Sequence, residues 1–215
     1  MTFSDSSVWL EDGSIVIRNR RLINSSVTSD ANFGSPAFIF EYNDVIGGSV
    51  NGWGSRSRIL GNDIRDGSIL MPVSDGMGPS GLVAGNLLHN GNILVGDGQG
   101  TAFNVQLVRN DVSGYIKLSA NDSLIYANVI RGCGPNQSSL ELGLGGNIAF
   151  RNRLVANDFA GGCEHGIYFS DFTRDNVYSD NIFHEYSLDS IVDYGVRNHS
   201  EHDIEPQQSA LDSSD

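Results

Sequence analysis

One asparagine recurs along this chain in a fixed frame: an apolar residue, two variable residues, Asn, one variable residue and a second apolar residue. The frame runs through Phe40…Asn43…Val45, Ile59…Asn62…Ile64, Val83…Asn86…Leu88 and Leu107…Asn110…Val112. It returns at Ile125…Asn128…Ile130, Leu154…Asn157…Phe159 and Tyr178…Asn181…Phe183. Successive asparagines lie 19, 24, 24, 18, 29 and 24 residues apart. An eighth copy, Leu22…Ser25…Val27, carries serine in the asparagine's place. Repeats of this length imply a stack of coils, each burying its apolar side only against its neighbours.

Backbone chemistry accounts for the asparagines. The chain must turn sharply between the flanking apolar residues, and positive φ is most tolerable for Asn or Asp among non-glycine residues. A buried amide also needs partners, which the same turn in the coils above and below can supply. The frame therefore predicts a structural column rather than a set of catalytic residues.

With the Gly166-Ile167-Tyr168-Phe169 strand start, the asparagine column resembles the right-handed parallel β-helix of pectate lyases, polygalacturonases, alginate epimerases and phage tailspikes. The likeness spans roughly residues 15–198. It implies an all-β fold, a right-handed parallel β-helix solenoid of about eight coils, roughly 35–40 Å long at about 4.8 Å per coil. Residues 1–198 are expected to form one domain, with 1–14 as an N-terminal cap carrying Trp9 over the open end. Residues 199–215 are expected to be a flexible acidic tail. The resemblance implies a protein that binds or processes an extended, acidic polysaccharide. The same scaffold also serves as a rod without ligand chemistry, in adhesin-like or tailspike-like assemblies that include homo-oligomers.

Composition narrows the partners. Glycine is abundant (26 of 215 residues) and proline scarce (5), and long runs of helical period are missing, so little helix is expected. Acidic residues outnumber basic ones 26 to 13, which argues against nucleic acid or an anionic membrane surface. No apolar run reaches membrane-spanning length. The first residues lack the basic and apolar regions of a signal peptide, so the chain is expected to be cytoplasmic, or a mature or excised domain. Cys133 and Cys163 follow Asn128 and Asn157 at similar offsets. Coil spacing allows a disulfide between them, or two small semi-buried residues.

Each coil also carries a short alternating strand, such as Ile93-Leu94-Val95 or Ile116-Lys117-Leu118, whose middle residue points outward. The outward column is expected to run Leu70, Leu94, Lys117, Glu141, Tyr168 and Asp193. It turns polar where the loops after Asn128 and Asn157 lengthen, and Lys117 is the only lysine. Lys117, Glu141, Tyr168 and His165 are the candidate catalytic residues, with Arg174 or Asp171 joining from the following turn. In lyase and epimerase chemistry a base takes the proton α to a uronate carboxylate while a cation neutralises that carboxylate. The alternative is a weak cross-strand salt bridge. A second outward column, Arg65, His89, Ser113, Arg131, Ala160 and His184, could grip acidic sugar but is expected to be a solvated face.

The catalytic signatures of those enzyme families are incomplete here. Polygalacturonases carry an Asp-Asp pair and Gly-His-Gly, and this chain offers only Glu164-His165-Gly166. Tyr194-Gly195-Val196-Arg197-Asn198-His199 matches the epimerase segment at Tyr, Gly and His, with Arg197 in the catalytic Asp position. Asp97-Gly98-Gln99-Gly100 is similar to a calcium turn but lacks repeated carboxylates, so no cofactor and no metal is expected.

Overall fold

The computed structural model describes residues 2–11, 15–30, 38–52, 55–73, 80–98, 100–132, 137–184, 186 and 188–201. These residues wind into a right-handed parallel β-helix, the hand that strand twist favours for parallel crossovers. Every strand pairs with the equivalent strand of a neighbouring coil, and every pairing is parallel. Among the described residues each of three faces holds nine strands, so eight full turns separate the first rung from the last. The first face runs from Thr2–Ser4 to Ile182–His184, and the second from Ser7–Glu11 to Ile191–Asp193. The third runs from Ile15–Arg18 to His199–Ser200. Asp44–Gly52 and Asp63–Val73 pass from first face to second without a break, joining these faces into one 16-stranded sheet. From Ala102–Phe103 onward a narrow fourth face is added, continued by Ala120–Asn121, Ala149–Phe150 and Thr173–Arg174.

Alternation along each short strand sends one column of side chains into the bore. On the first face this column is Val45, Ile64, Leu88, Val112, Ile130, Phe159 and Phe183, all buried. Phe159 and Phe183 stack with centroids 5.2 Å apart. On the narrow face, where the bore pinches, the inward residues are Ala102, Ala120 and Ala149. Each large aliphatic or aromatic side chain so buried contributes about 1.5–3 kcal/mol. Side-chain identity thus follows the local width of the coil.

The corners are built from three repeated devices. At the first corner the seven asparagines form the expected column, each at most 2% exposed. The positive φ, however, falls on the residue before each one: Tyr42, Gly61, Gly85, Arg109, Ala127, Ala156 and Asp180. The left-handed residue makes the bend, and Asn follows for its amide. At the second corner Gly48, Gly67, Gly91 and Gly114 stack. A Cβ on Gly67, Gly91 or Gly114 would stand 2.1–2.2 Å from the carbonyl oxygen of the glycine before it. At a third corner Asn152, Asn176 and Asn198 form a second asparagine ladder. The Asn152 and Asn176 amides donate to the next Oδ1 at 2.9 Å. Ser123 precedes it, its N–H donating to Asn152 Oδ1 at 3.0 Å.

Three expectations need correction. Ser25 is not an eighth ladder member: Leu22 pairs with Val45, so the site equivalent to Asn43 is Arg20, whose N–H donates to Asn43 Oδ1. Sequence spacing matched the frame, but hydrogen-bond register puts Ser25 at the glycine corner beside Gly48. Within 1–14, Thr2–Ser4 and Ser7–Glu11 are not a lid but the first rung of the stack, and Trp9 pairs with Thr28 and stands outward, 59% exposed. At the other end His199–Ser200 still pairs with Val177 and Tyr178. The rest of the expected tail, residues 202–215, lies outside the described residues.

Candidate binding face

On the second face the outward column runs in register through Trp9, Thr28, Asn51, Leu70, Leu94, Lys117, Glu141 and Tyr168. Parallel pairing holds these side chains about 4.8 Å apart, as the sequence predicts. The column ends differently from expectation: Tyr168 pairs with Val192, while Asp193 pairs with the inward Phe169. Asp193 instead accepts from the Gly195 N–H and the Asn198 amide, closing the last turn.

Lys117 and Glu141 form an ion pair at 3.4 Å, both partly shielded. The ammonium also lies 5.2 Å from the centre of the Tyr115 ring. A cation shared by a carboxylate and a π face is anchored. Next in line, the Tyr168 ring lies 5.8 Å from Tyr194 and 6.3 Å from His165. Burial, with Tyr194, Glu141 and Asp171 adding to it, raises the Tyr168 phenol above its ordinary value. The hydroxyl therefore keeps its proton near neutrality and offers a hydrogen-bond donor rather than a base. His165 Nδ1 lies 3.0 Å from the Asp189 carbonyl oxygen. A carbonyl only accepts, so Nδ1 is the donor in this hydrogen bond.

The four candidate residues are thus brought together, in the order Lys117, Glu141, Tyr168, with His165 beside the last. Arg174 does not join them: its guanidinium lies 5.1 Å from the Phe150 ring on the narrow face. Tyr115 and Tyr194 also belong to the surface, the first not singled out from the sequence and the second only as part of the epimerase-like segment. Alternation around Ile116 would have placed Tyr115 outward, whereas Tyr194 depends on the turn after Val192. Beside Tyr115 a polar cleft of about 180 Å³ is lined by Asn90, Asn92, Ser113, Gly114, Gly132 and Gln137. Cys133 to Asn136 lie outside the described residues. Cys163 is buried and disulfide-bonded, and its Sγ lies 3.0 Å from Ser139 Oγ.

The second sequence column is occupied internally. Its residues reach aspartates that follow the ladder asparagines: Arg65 to Asp63 at 2.6 Å, Arg131 to Asp111 at 3.3 Å and His184 to Asp158 at 3.0 Å. His89 lies 3.6 Å from Asp63. These side chains meet aspartates within and between coils, which a reading of the column by itself could not show. Among the described residues no three His, Cys, Asp or Glu side chains are grouped to hold a metal ion. No helix among them is long and apolar enough to cross a membrane.

No family model matches the chain, and no curated protein matches it. Among solved structures, a trypsin-treated form of QnrB1, a plasmid-mediated fluoroquinolone resistance protein, aligns over 89% of this chain and 91% of its own length. Identity is 9% and the TM-score 0.18, so the likeness carries no argument about fold or activity.

Proposed function

We propose that this protein is a non-catalytic β-helix module that binds an extended polysaccharide along its second face, centred on Lys117, Glu141 and Tyr168. The observation that carries this reading is the packing of the Tyr168 ring against Tyr194 at 5.8 Å, one coil from an anchored Lys117–Glu141 pair. Sugar rings lie on aromatic faces, and their hydroxyls pair with fixed donors and acceptors. A straight face repeating about every 4.8 Å suits a linear polymer better than a small molecule. Binding is favoured over turnover because the phenol holds its proton and the lysine is engaged by a carboxylate. Membership of the pectate lyase-like group and an acidic character of the glycan are part of the same proposal.

A glycan array probed with the purified chain tests it, followed by titration of the best ligand. Tyr168→Ala and Tyr194→Ala should each weaken binding at least tenfold with little change in melting temperature. Full affinity in both variants, or no glycan bound at all, overturns the reading.

A second reading, a structural module that self-associates, is favoured by the narrow face. Ile148, Phe172 and Val196 are there 40–48% exposed on successive coils. Apolar strips of this kind mark contact surfaces. Sedimentation showing an oligomer that Phe172→Ser dissolves would support it.

A further inference from the structure

Six of the twelve arginines reach a carboxylate within 3.4 Å. Arg18, Arg21, Arg151 and Arg197 reach carboxylates at 2.8, 3.4, 2.6 and 2.5 Å. Among the described residues, three on the third face do not, Arg56, Arg58 and Arg153, and the first two share a groove. Arg56 makes no ion pair among the described residues. Arg58 stands 4.0 Å from Glu41, whose nearer partner is Arg18 at 2.8 Å. Both arginines line one open groove of about 350 Å³, with Ser80, Leu82, Asn104 and Gln106.

No carboxylate lines this groove, although acidic residues outnumber basic ones 26 to 13 in the chain. Register fixes its shape: Arg58 lies between Ile39 and Leu82 in the outward column, and Gln106 follows Leu82. Arg56 is the extra residue of a β-bulge inside Ser55–Leu60, φ 69°, with its N–H donating to Ser80 Oγ at 3.3 Å. Glycine is required at Gly81, where a Cβ would meet the Ser57 carbonyl oxygen at 2.2 Å.

We propose that this groove is a binding site for an oxyanion (carboxylate, sulfate or phosphate) carried on a small polar ligand. A guanidinium presents a planar fork of donors that matches such groups, and two of them offer more donors than one anion can saturate. The amides of Asn104 and Gln106 supply neutral hydrogen bonds, and the half-buried Leu82 a surface for the ligand's carbon body. The groove lies on the nine-stranded sheet, apart from the Lys117 face, so it stands or falls independently of the polysaccharide reading.

The test is titration of the purified chain with sodium sulfate, sodium phosphate or galacturonate, each against sodium chloride at matched ionic strength. The readout is the NMR signals of the arginine Nε–H groups. Saturable shifts at Arg56 and Arg58 are expected with at least one oxyanion and not with chloride. Response to galacturonate alone assigns a carboxylate, and response to the tetrahedral anions alone a sulfate or phosphate. The double variant Arg56→Gln/Arg58→Gln should weaken binding at least tenfold. Leu82→Glu, which adds a carboxylate beside Arg58, should do the same if that double variant folds poorly. Shifts no different from chloride, or undiminished affinity in a folded variant, overturn the site.

Discussion

Asn110 holds Asn128 twice: its backbone N–H and its side-chain amide both donate to Asn128 Oδ1, at 3.0 and 2.9 Å. The same amide donates to the Val83 carbonyl of the preceding coil, while Asn110 Oδ1 accepts both donors of Asn86. Each ladder asparagine so placed links three coils, with no polar atom of its amide left over. Asparagine suits this place because one side chain carries both a two-proton donor and an acceptor.

Replacing Asn110 with Ala should cost about 1–3 kcal/mol, the usual penalty for leaving buried backbone groups unpaired. Denaturant unfolding measures it. A midpoint unchanged from wild type would show that the ladder carries no stability.

Gly91→Ala should destabilise more than Gly85→Ala. At Gly91 the new Cβ would stand 2.1 Å from the Gly67 carbonyl oxygen, so backbone must shift, whereas at Gly85, φ 62°, nothing lies within 4 Å. Overpacking costs typically about 1–3 kcal/mol. The left-handed strain alone costs about 1–2 kcal/mol. Melting temperatures of the two variants give the order, and a reversal would place the close contact at the wrong corner.

Lys117→Ala should leave stability within about 1 kcal/mol of wild type, because partly exposed pairs contribute little. Loss of glycan binding without loss of stability would assign the lysine to the ligand. A large drop in melting temperature would assign it to the scaffold instead.

Acid should weaken the stack through its charged corner. Hydrogen bonds from Arg151 and Arg197 hold the Asp122 and Asp175 carboxyls below their ordinary range. The unfolded chain then binds these protons first as pH falls. The stabilisation is complete above the ordinary carboxylate pKa and is lost as pH drops through the lowered native values. The groups are exposed, so the effect should be small and reduced by salt. Arg151→Gln/Arg197→Gln should flatten this part of the stability profile, measured by urea unfolding across acidic pH.

Alkali acts by the opposite sign. Burial pushes the Tyr186 phenol up to about 12, against a hydrogen bond with Ser139 that lowers it. An unfolded tyrosine ionises near about 10. Between these values the unfolded chain sheds the proton first, so stability falls as pH rises through the window. Urea unfolding with tyrosinate absorbance as the monitor should show this slope in wild type and a shallower one in Tyr186→Phe.

Much of the site was legible in the sequence because a period of two is rigid. Ile116-Lys117-Leu118 and Leu140-Glu141-Leu142 fix which residue points outward, and coil stacking then puts Lys117 beside Glu141. The second ladder was not read, because only Ala149…Asn152…Leu154 keeps the frame of the first, while Thr173…Asn176…Tyr178 opens on a polar residue. Asp193 was misplaced because the segment after Phe183 lacks that frame, and one residue of slip turns a strand over.

By itself the sequence determined the stacked architecture, the asparagine column and the inward side chains, because each follows from a local period and from the need to satisfy buried polar groups. Only the tertiary structure decided the register. It moved Ser25 to the glycine corner, placed Trp9 on the same face as Tyr168, and tied Arg131 and His184 to aspartates of the preceding coils. Those relations depend on hydrogen bonds between residues about one coil apart, and coil lengths vary from 18 to 29 residues. A repeat of variable length tells which residues recur, while the pairing of backbone groups alone tells which of them meet.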